Sequence, residues 1–161
     1  MKIKIILLVI FISIAFSVFG QSVSDFEYKV TNDGVVITGY NGTAKDIVIP
    51  SEINEILVVE IGREAFMKKG LVSVIIPNSV KKIGESAFYG NELTKITIPK
   101  SVQKIGCSSF RGNKLTKVVI PKSTMIVEIS YEVGCNDDGE DCEVYTGIFT
   151  FDDNVKVRRK R

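Results

Sequence analysis

The sequence contains no histidine, so the residues that remain as candidates for chemistry are its cysteines and acids. Without histidine there is no Ser-His-Asp or Cys-His nucleophile pair, no histidine metal site and no histidine general base. No two acidic residues have a spacing that indicates paired acid and base roles. The sequence therefore predicts a protein that is not an enzyme and that uses no metal ion or cofactor.

Cys135 and Cys142 enclose a short acidic run, NDDGED. They could form a local disulfide if the compartment is oxidising, and free thiols are the alternative. Cys107 is left over and is expected to pack as a small side chain. The acidic run lacks the residue order of a calcium-binding loop, so we interpret it as an exposed turn.

The first twenty residues have the pattern of a secretion signal. Two lysines precede an apolar run of 15 residues from Ile5 to Phe19, and Gly20 precedes a suitable cleavage point at Gln21. The run is shorter than the roughly 20 residues that span a bilayer, although an uncleaved membrane anchor is the alternative. The pattern predicts an exported chain, secreted or on the cell surface or alternatively periplasmic, with no membrane span after cleavage.

An internal repeat of 22 residues occupies the middle of the chain. Four kinds of residue recur at this interval: Leu71, Leu93 and Leu115; Pro77, Pro99 and Pro121; Phe66, Phe88 and Phe110; and Gly62, Gly84 and Gly106. One coil of this length cannot bury its apolar face alone, so neighbouring coils must stack like residue on like residue. The repeat predicts a β-rich leucine-rich-repeat solenoid of about three and a half rungs.

Each unit indicates a strand, a second short strand and a tight turn. In LTKITIP the apolar Ile96 and Ile98 alternate with polar residues, as in a half-buried strand, and Pro99 ends the strand because it has no N–H to donate. The second run stops at Gly106, where we expect either a positive φ or a close backbone approach. A single helical turn should then bring Phe110 into the interior, and Gly-Asn pairs should close each coil.

The phrases ITIPKSVQKIGCSSF and VIIPNSVKKIGESAF resemble the BspA-like, treponemal-type leucine-rich repeat family, and the resemblance covers about Val35 to Ser123. It implies a curved right-handed solenoid in which the L-x-x-I-x-I strands form a parallel sheet on one side. It also implies a bacterial or protist surface or secreted protein, in a family that includes adhesins for host proteins or other microbes.

The patterns divide the chain into a signal peptide (1–20), an N-terminal β-hairpin cap (21–43), the repeats (44–128) and a C-terminal cap with an acidic loop and a basic tail (129–161). Alternating strands around Asn32-Asp33-Gly34 predict the first hairpin. Glu128 and Glu132 replace the expected Gly and Phe, so we expect the repeat to stop there. The runs EVYTGIFTF and VKVR are expected to form a closing hairpin.

The exposed residues of the repeat strands are the candidate ligand-binding residues. They form two columns, Ser73, Lys95 and Lys117 in one and Ile75, Thr97 and Val119 in the other. Residues 68–122 carry eleven Lys and Arg against two acids, although the net charge is only +2. Such a band could bind an anionic glycan or an acidic protein surface, and a solvated face without a specific ligand is the alternative.

Together these features predict a secreted or cell-surface module of the adhesion type, a monomer that binds a host or microbial surface protein or an anionic glycan. The alternative is a periplasmic structural or docking protein with no external ligand. A nucleic-acid partner is not expected, because the chain has no recognition-helix motif and carries an export signal.

Overall fold

A computed structural model describes residues 22–126, 131–133, 143–145, 151 and 155–159. The predicted signal peptide, Cys135 and Cys142 lie outside the described residues. The described elements are a 3-10 helix (Val23–Asp25) and the strands β1 (Phe26–Thr31), β2 (Gly34–Tyr40), β3 (Asp46–Val48), β4 (Glu52–Ile53), β5 (Ile56–Ile61), β6 (Ser73–Ile75), β7 (Lys82–Ile83), β8 (Lys104–Ile105), β9 (Lys117–Ile120), β10 (Met125–Ile126), β11 (Tyr131–Val133), β12 (Glu143–Tyr145) and β13 (Lys156–Arg159).

The chain forms a parallel β-solenoid, which confirms the predicted fold class. The leucines, phenylalanines and isoleucines of the repeat columns point inward and are almost fully buried. Phe66, Phe88 and Phe110 stack face to face, with ring centroids 5.1 Å and 5.3 Å apart and planes within 8° of parallel. Apolar burial of about 25 cal/mol per Å² along this column is the main force that holds the coils together.

An N-terminal hairpin closes the first end of the solenoid, as predicted. Strands β1 and β2 pair antiparallel around a turn at Asn32 and Asp33, and β2 then pairs parallel with β5. Phe26 and Tyr40 of this hairpin are buried against Phe66, at centroid distances of 6.3 Å and 5.7 Å. The hairpin thus continues the aromatic column and covers its end.

The first repeat unit contains five more residues than the others, and these form a small hairpin between β4 and β5. Asn54 and Glu55 make its turn, with φ of 51° and 66°. Successive positive φ values are typical of a type I′ turn, whose twist suits two antiparallel strands. The extra residues therefore project from the coil as a hairpin, and β5 still pairs in register with β7 of the next coil.

The longest sheet runs along the second strand of each unit. Ile61, Ile83, Ile105 and Ile126 are register partners across β5, β7, β8 and β10, all parallel. The repeated glycine lets the backbones of neighbouring coils approach closely here. A Cβ at Gly84 would lie only 2.7 Å from the amide nitrogen of Arg63. Of the two roles we considered for Gly106, close backbone approach is therefore the one observed.

The L-x-x-I-x-I strands do not form the continuous sheet that the family resemblance implies. Strand β3 pairs with β6, β9 pairs with β13, and only a single bridge between Thr97 and Val119 connects the intervening unit. Proline follows β3, β6 and β9 and so limits the length of these strands. This side of the solenoid is therefore interrupted at the unit that begins at Leu93, whereas the long sheet is continuous.

The third wall of each coil is a turn and not the single helical turn that we expected. Glu64, Ser86 and Ser108 occupy the left-handed region, with φ of 58°, 53° and 55°. Left-handed residues interrupt a helix, and the freed N–H groups reach the next coil instead. The amides of Phe66 and Phe88 donate to the carbonyls of Ala87 and Ser109, each at 2.8 Å.

An asparagine closes two of the coils, at Asn91 and Asn113. The side chain of Asn91 accepts hydrogen bonds from the amides of Lys69 and Leu71 at 3.1 Å and 3.0 Å. Its Nδ2 donates to the carbonyls of Phe66 and Phe88 at 2.7 Å and 2.9 Å. Asn113 repeats this arrangement with Leu93, Phe88 and Phe110. The Gly-Asn pairs therefore bond two coils to each other, beyond turning the chain.

The solenoid continues beyond Glu128, where we expect the sequence repeat to stop. Phe151 is buried and stacks on Phe110, with centroids 5.4 Å apart and planes 5° from parallel. Strand β13 then pairs parallel with β9. The third coil, which begins at Leu115, is split in the sequence. Ile105 lies five positions before Phe110, whereas its register partner Ile126 lies twenty-five positions before Phe151.

EVYTGIFTF and VKVR do not pair with each other in the closing hairpin that we expected. Strand β12 pairs antiparallel with β11, and β13 joins the solenoid as a parallel strand. The physical reason is that Val157 alternates with exposed Lys156 and packs against the core, so the segment fits as a further coil.

Replacement of Asn91 by alanine should lower the free energy of unfolding by about 3 kcal/mol, because it leaves buried amides and carbonyls without partners. Urea denaturation followed by circular dichroism measures this change. Asn78→Ala, at an exposed site, serves as the matched control and should change stability by less than about 0.5 kcal/mol. Equal effects of the two substitutions would contradict the structural role of Asn91.

Phe151→Ala should destabilise the protein by about 3–5 kcal/mol, as Phe110→Ala should, because both remove a buried ring from one stack. Thermal and urea unfolding of the two variants provide the comparison. If Phe151→Ala cost less than about 0.5 kcal/mol, the value of an ordinary surface change, the solenoid would end at Ile126.

Candidate functional site

An open groove lies on the L-x-x-I-x-I side of the solenoid and has a volume of about 1050 Å³. It crosses the units that begin at Leu93 and Leu115, beside the short or absent strand ladder. Its lining includes Lys95, Thr97, Lys117 and Val119 on the strands, and Asn78, Lys100 and Ser101 at the corner that follows the prolines. We refer to this feature as the groove.

Strand alternation explains which side chains reach the groove. In β9 the buried residues Val118 and Ile120 alternate with the exposed Lys117 and Val119. The previous unit shows the same order, since Lys95 and Thr97 are exposed while Ile98 is buried. The period of two thus directs one set of residues into the core and the other set into the groove.

All six predicted binding residues are exposed, but the structure brings only four of them together. Lys95, Thr97, Lys117 and Val119 line the groove. Ser73 and Ile75 lie in β6, which pairs with β3, and are not among the groove residues. Ile75 and Val119 are apolar and yet 55% and 41% exposed, so neither contributes much to the core.

Sequence reasoning missed the corner residues of the groove and one lysine. Asn78 and Lys100 each follow the conserved proline of their unit, so their shared position in the repeat was a usable signal. Lys156 lies beyond the split in the third coil, where no repeat pattern could place it. Pairing of β13 with β9 makes it the register partner of Lys117.

Lys117 and Lys156 are therefore register partners on adjacent strands, and Lys95 occupies the equivalent position of the preceding unit. The Thr97–Val119 bridge sets the register that places Lys95 beside Lys117, and Lys156 follows on the next strand. We call Lys95, Lys117 and Lys156 the lysine row. Parallel strands are about 4.8 Å apart, so the three ammonium groups originate at short, regular intervals.

Two lysines elsewhere on the solenoid have acidic partners on the neighbouring coil. Lys82 lies 2.7 Å from Glu60, and Lys114 lies 3.0 Å from Glu92. Across residues 22–126 and 155–159, no ion pair involves a member of the lysine row. Lys95, Lys117 and Lys156 are all exposed.

Three further observations concern the cysteine, possible metal ligands and membrane-spanning helices. Cys107 is buried and is not in a disulfide, in agreement with packing as a small side chain. Within the part of the chain that the structure describes, no three His, Cys, Asp or Glu residues are grouped as metal ligands. No helix among the described residues has the length and apolar character needed to cross a bilayer.

Comparison with known families gives a match over residues 59–132 to the BspA type leucine rich repeat region, in six copies. The repeats belong to the BspA-type leucine-rich repeat family. This confirms the resemblance that the IP-x-SV-x-x-IG phrase indicated. No match was found among curated proteins.

Solved structures with the same fold include three bacterial leucine-rich repeat proteins. The T. pallidum leucine rich repeat protein is 28% identical with a TM-score of 0.58; the match covers 66% of this chain and 63% of that protein. A leucine-rich repeat protein from Bacteroides capillosus is 19% identical with a TM-score of 0.67, over 88% and 98% of the two chains. A leucine rich cell surface protein from Faecalibacterium prausnitzii is 23% identical with a TM-score of 0.50, over 65% and 37%.

Membership of the BspA-type family and the solenoid fold suggest a protein-interaction module of a kind that is generally non-enzymatic. The family and its bacterial neighbours also suggest a surface or exported protein. In such a module the coils supply a rigid frame, and the residues that alternate with the core supply the contacts.

Proposed function

We propose that this chain is a secreted or cell-surface recognition module of the adhesion type, which binds a surface protein or an anionic glycan through its L-x-x-I-x-I side. The observation that carries the proposal is the groove. It collects four of the six exposed strand residues, which the fold does not need for its core, beside lysines that have no acidic partner among the described residues.

The composition of this side suits recognition better than simple solvation. Ile75 and Val119 expose apolar surface within a few residues of charged side chains. Burial of such surface against a partner would be favourable by about 25 cal/mol per Å². Lysines around it would attract an acidic partner and fix its orientation, since charge complementarity mainly sets specificity and association rate.

Two independent features support export. Residues 1–20 have the basic and apolar segments of a secretion signal. One structural neighbour, from Faecalibacterium prausnitzii, is described as a cell surface protein. A rigid solenoid that exposes the groove to solvent is suited to binding a partner outside the cytoplasm.

Ile75→Asp should weaken capture of the partner by about tenfold, because it places a charge on an apolar contact surface. The measurement is a pull-down of residues 21–161 at low ionic strength against extracellular matrix proteins and anionic glycans. Leu57→Asp is a matched control, since Leu57 is also 55% exposed but lies on β5, in the long sheet and not on the L-x-x-I-x-I side. Equal capture by the two variants would contradict the proposed face.

Location is tested on intact cells that express the full chain. Added protease should degrade a surface-displayed protein, and the culture medium should contain a secreted one. Release of intact protein only after the outer membrane is removed would contradict the proposal and favour the periplasmic docking protein. Deletion of residues 1–20 should retain the chain inside the cell, which tests the signal directly.

A further inference from the structure

We infer that the lysine row and the groove bind a linear anionic glycan, a sugar chain with regularly spaced carboxylates or sulfates that crosses the coils. The inference rests on the proposed recognition function and names its ligand class. Its basis is the placement of Lys156, which pairs with Lys117 through β13 and extends the basic column beyond the repeat.

The geometry of the row suits an extended polymer. Like charges placed directly opposite each other on adjacent strands are destabilising. Here Lys117 and Lys156 are register partners, Lys95 holds the equivalent position in the preceding unit, and no carboxylate among the described residues lies within ion-pair distance of them. A chain of anions that runs across the strands would relieve this repulsion at each strand, whereas a single small anion would relieve it at only one or two.

The chemistry of the groove argues against a protein as the main occupant. Central residues of protein interfaces are enriched in aromatic side chains and arginine and depleted in lysine. The groove contains lysines but no Phe, Tyr, Trp or Arg among its lining residues. Its exposed polar groups include Thr97 and Asn78, whose hydroxyl and amide can exchange hydrogen bonds with sugar hydroxyls.

The same lining argues against nucleic acid. Proteins that hold single strands stack the bases on aromatic side chains, and none lines the groove. Duplex DNA is read by a helix or a two-stranded ribbon inserted into the major groove, whereas the lysine row lies on a flat side of three strands. A sulfated or carboxylated sugar chain needs neither device, only regularly spaced cations and hydrogen-bonding groups.

The test compares two triple variants of residues 21–161 that change net charge equally. Lys95→Gln, Lys117→Gln and Lys156→Gln together neutralise the row. Lys29→Gln, Lys81→Gln and Lys104→Gln neutralise three exposed lysines outside the groove and serve as the control. Calorimetric titration with heparin and with polygalacturonate, at low and physiological ionic strength, gives the dissociation constants, and circular dichroism verifies folding.

Neutralising the row should weaken binding of at least one of these polymers by about tenfold and reduce its dependence on salt, while the control should change it by less than about twofold. Equal losses in the two triple variants would overturn the inference, because binding would then follow net charge alone. It would also be overturned if duplex DNA or poly-glutamate bound as tightly with the same dependence on the row.

Failure of this inference is distinguishable from failure of the proposed function. If neither polymer binds but Ile75→Asp still abolishes capture of a surface protein, the recognition function stands and the glycan inference is wrong. Unmodified dextran should show no binding, and equal affinity for dextran would likewise contradict a site based on the lysine row.

Discussion

The contact between adjacent coils depends on a buried asparagine side chain. Asn91 links the carbonyls of Phe66 and Phe88, from adjacent coils, to the amides of the chain that begins the next strand. The corner it occupies would otherwise hold four backbone groups away from water, and each would cost about 1–3 kcal/mol unpaired. At Asn91 and Asn113 this corner fixes the spacing between coils at which the phenylalanine rings stack.

The two strand-bearing sides of the solenoid serve different purposes because their sequence devices differ. Glycine lets the backbones of the long sheet approach closely and gives it continuous pairing. Proline shortens the strands on the other side and leaves one bridge where a ladder would run. The continuous sheet therefore maintains the register of the coils, while the outward residues of the interrupted side are available for contact with a partner.

Most of the fold follows from the repeat, because four residue columns at one interval leave few alternatives. The inward positions and the N-terminal hairpin were predictable from strand alternation. The turn wall was not, because the left-handed conformations of Ser86 and Ser108 are unusual for serine and leave no mark in the sequence. Four groove residues could be named from alternation alone, but Lys156 could not, since its position depends on pairing across a break in the period.

The split third coil sets an order for folding during synthesis. The coils that contain Phe66, Phe88 and Phe110 use contiguous residues, so each can dock as soon as its chain is available. The next ring, Phe151, arrives twenty-five positions after Ile126, and the entropy of bringing together residues so far apart in sequence must be met before it stacks. The exposed apolar end of the growing solenoid is therefore covered last, and the C-terminal strand acts as the final step of assembly rather than as a separate unit.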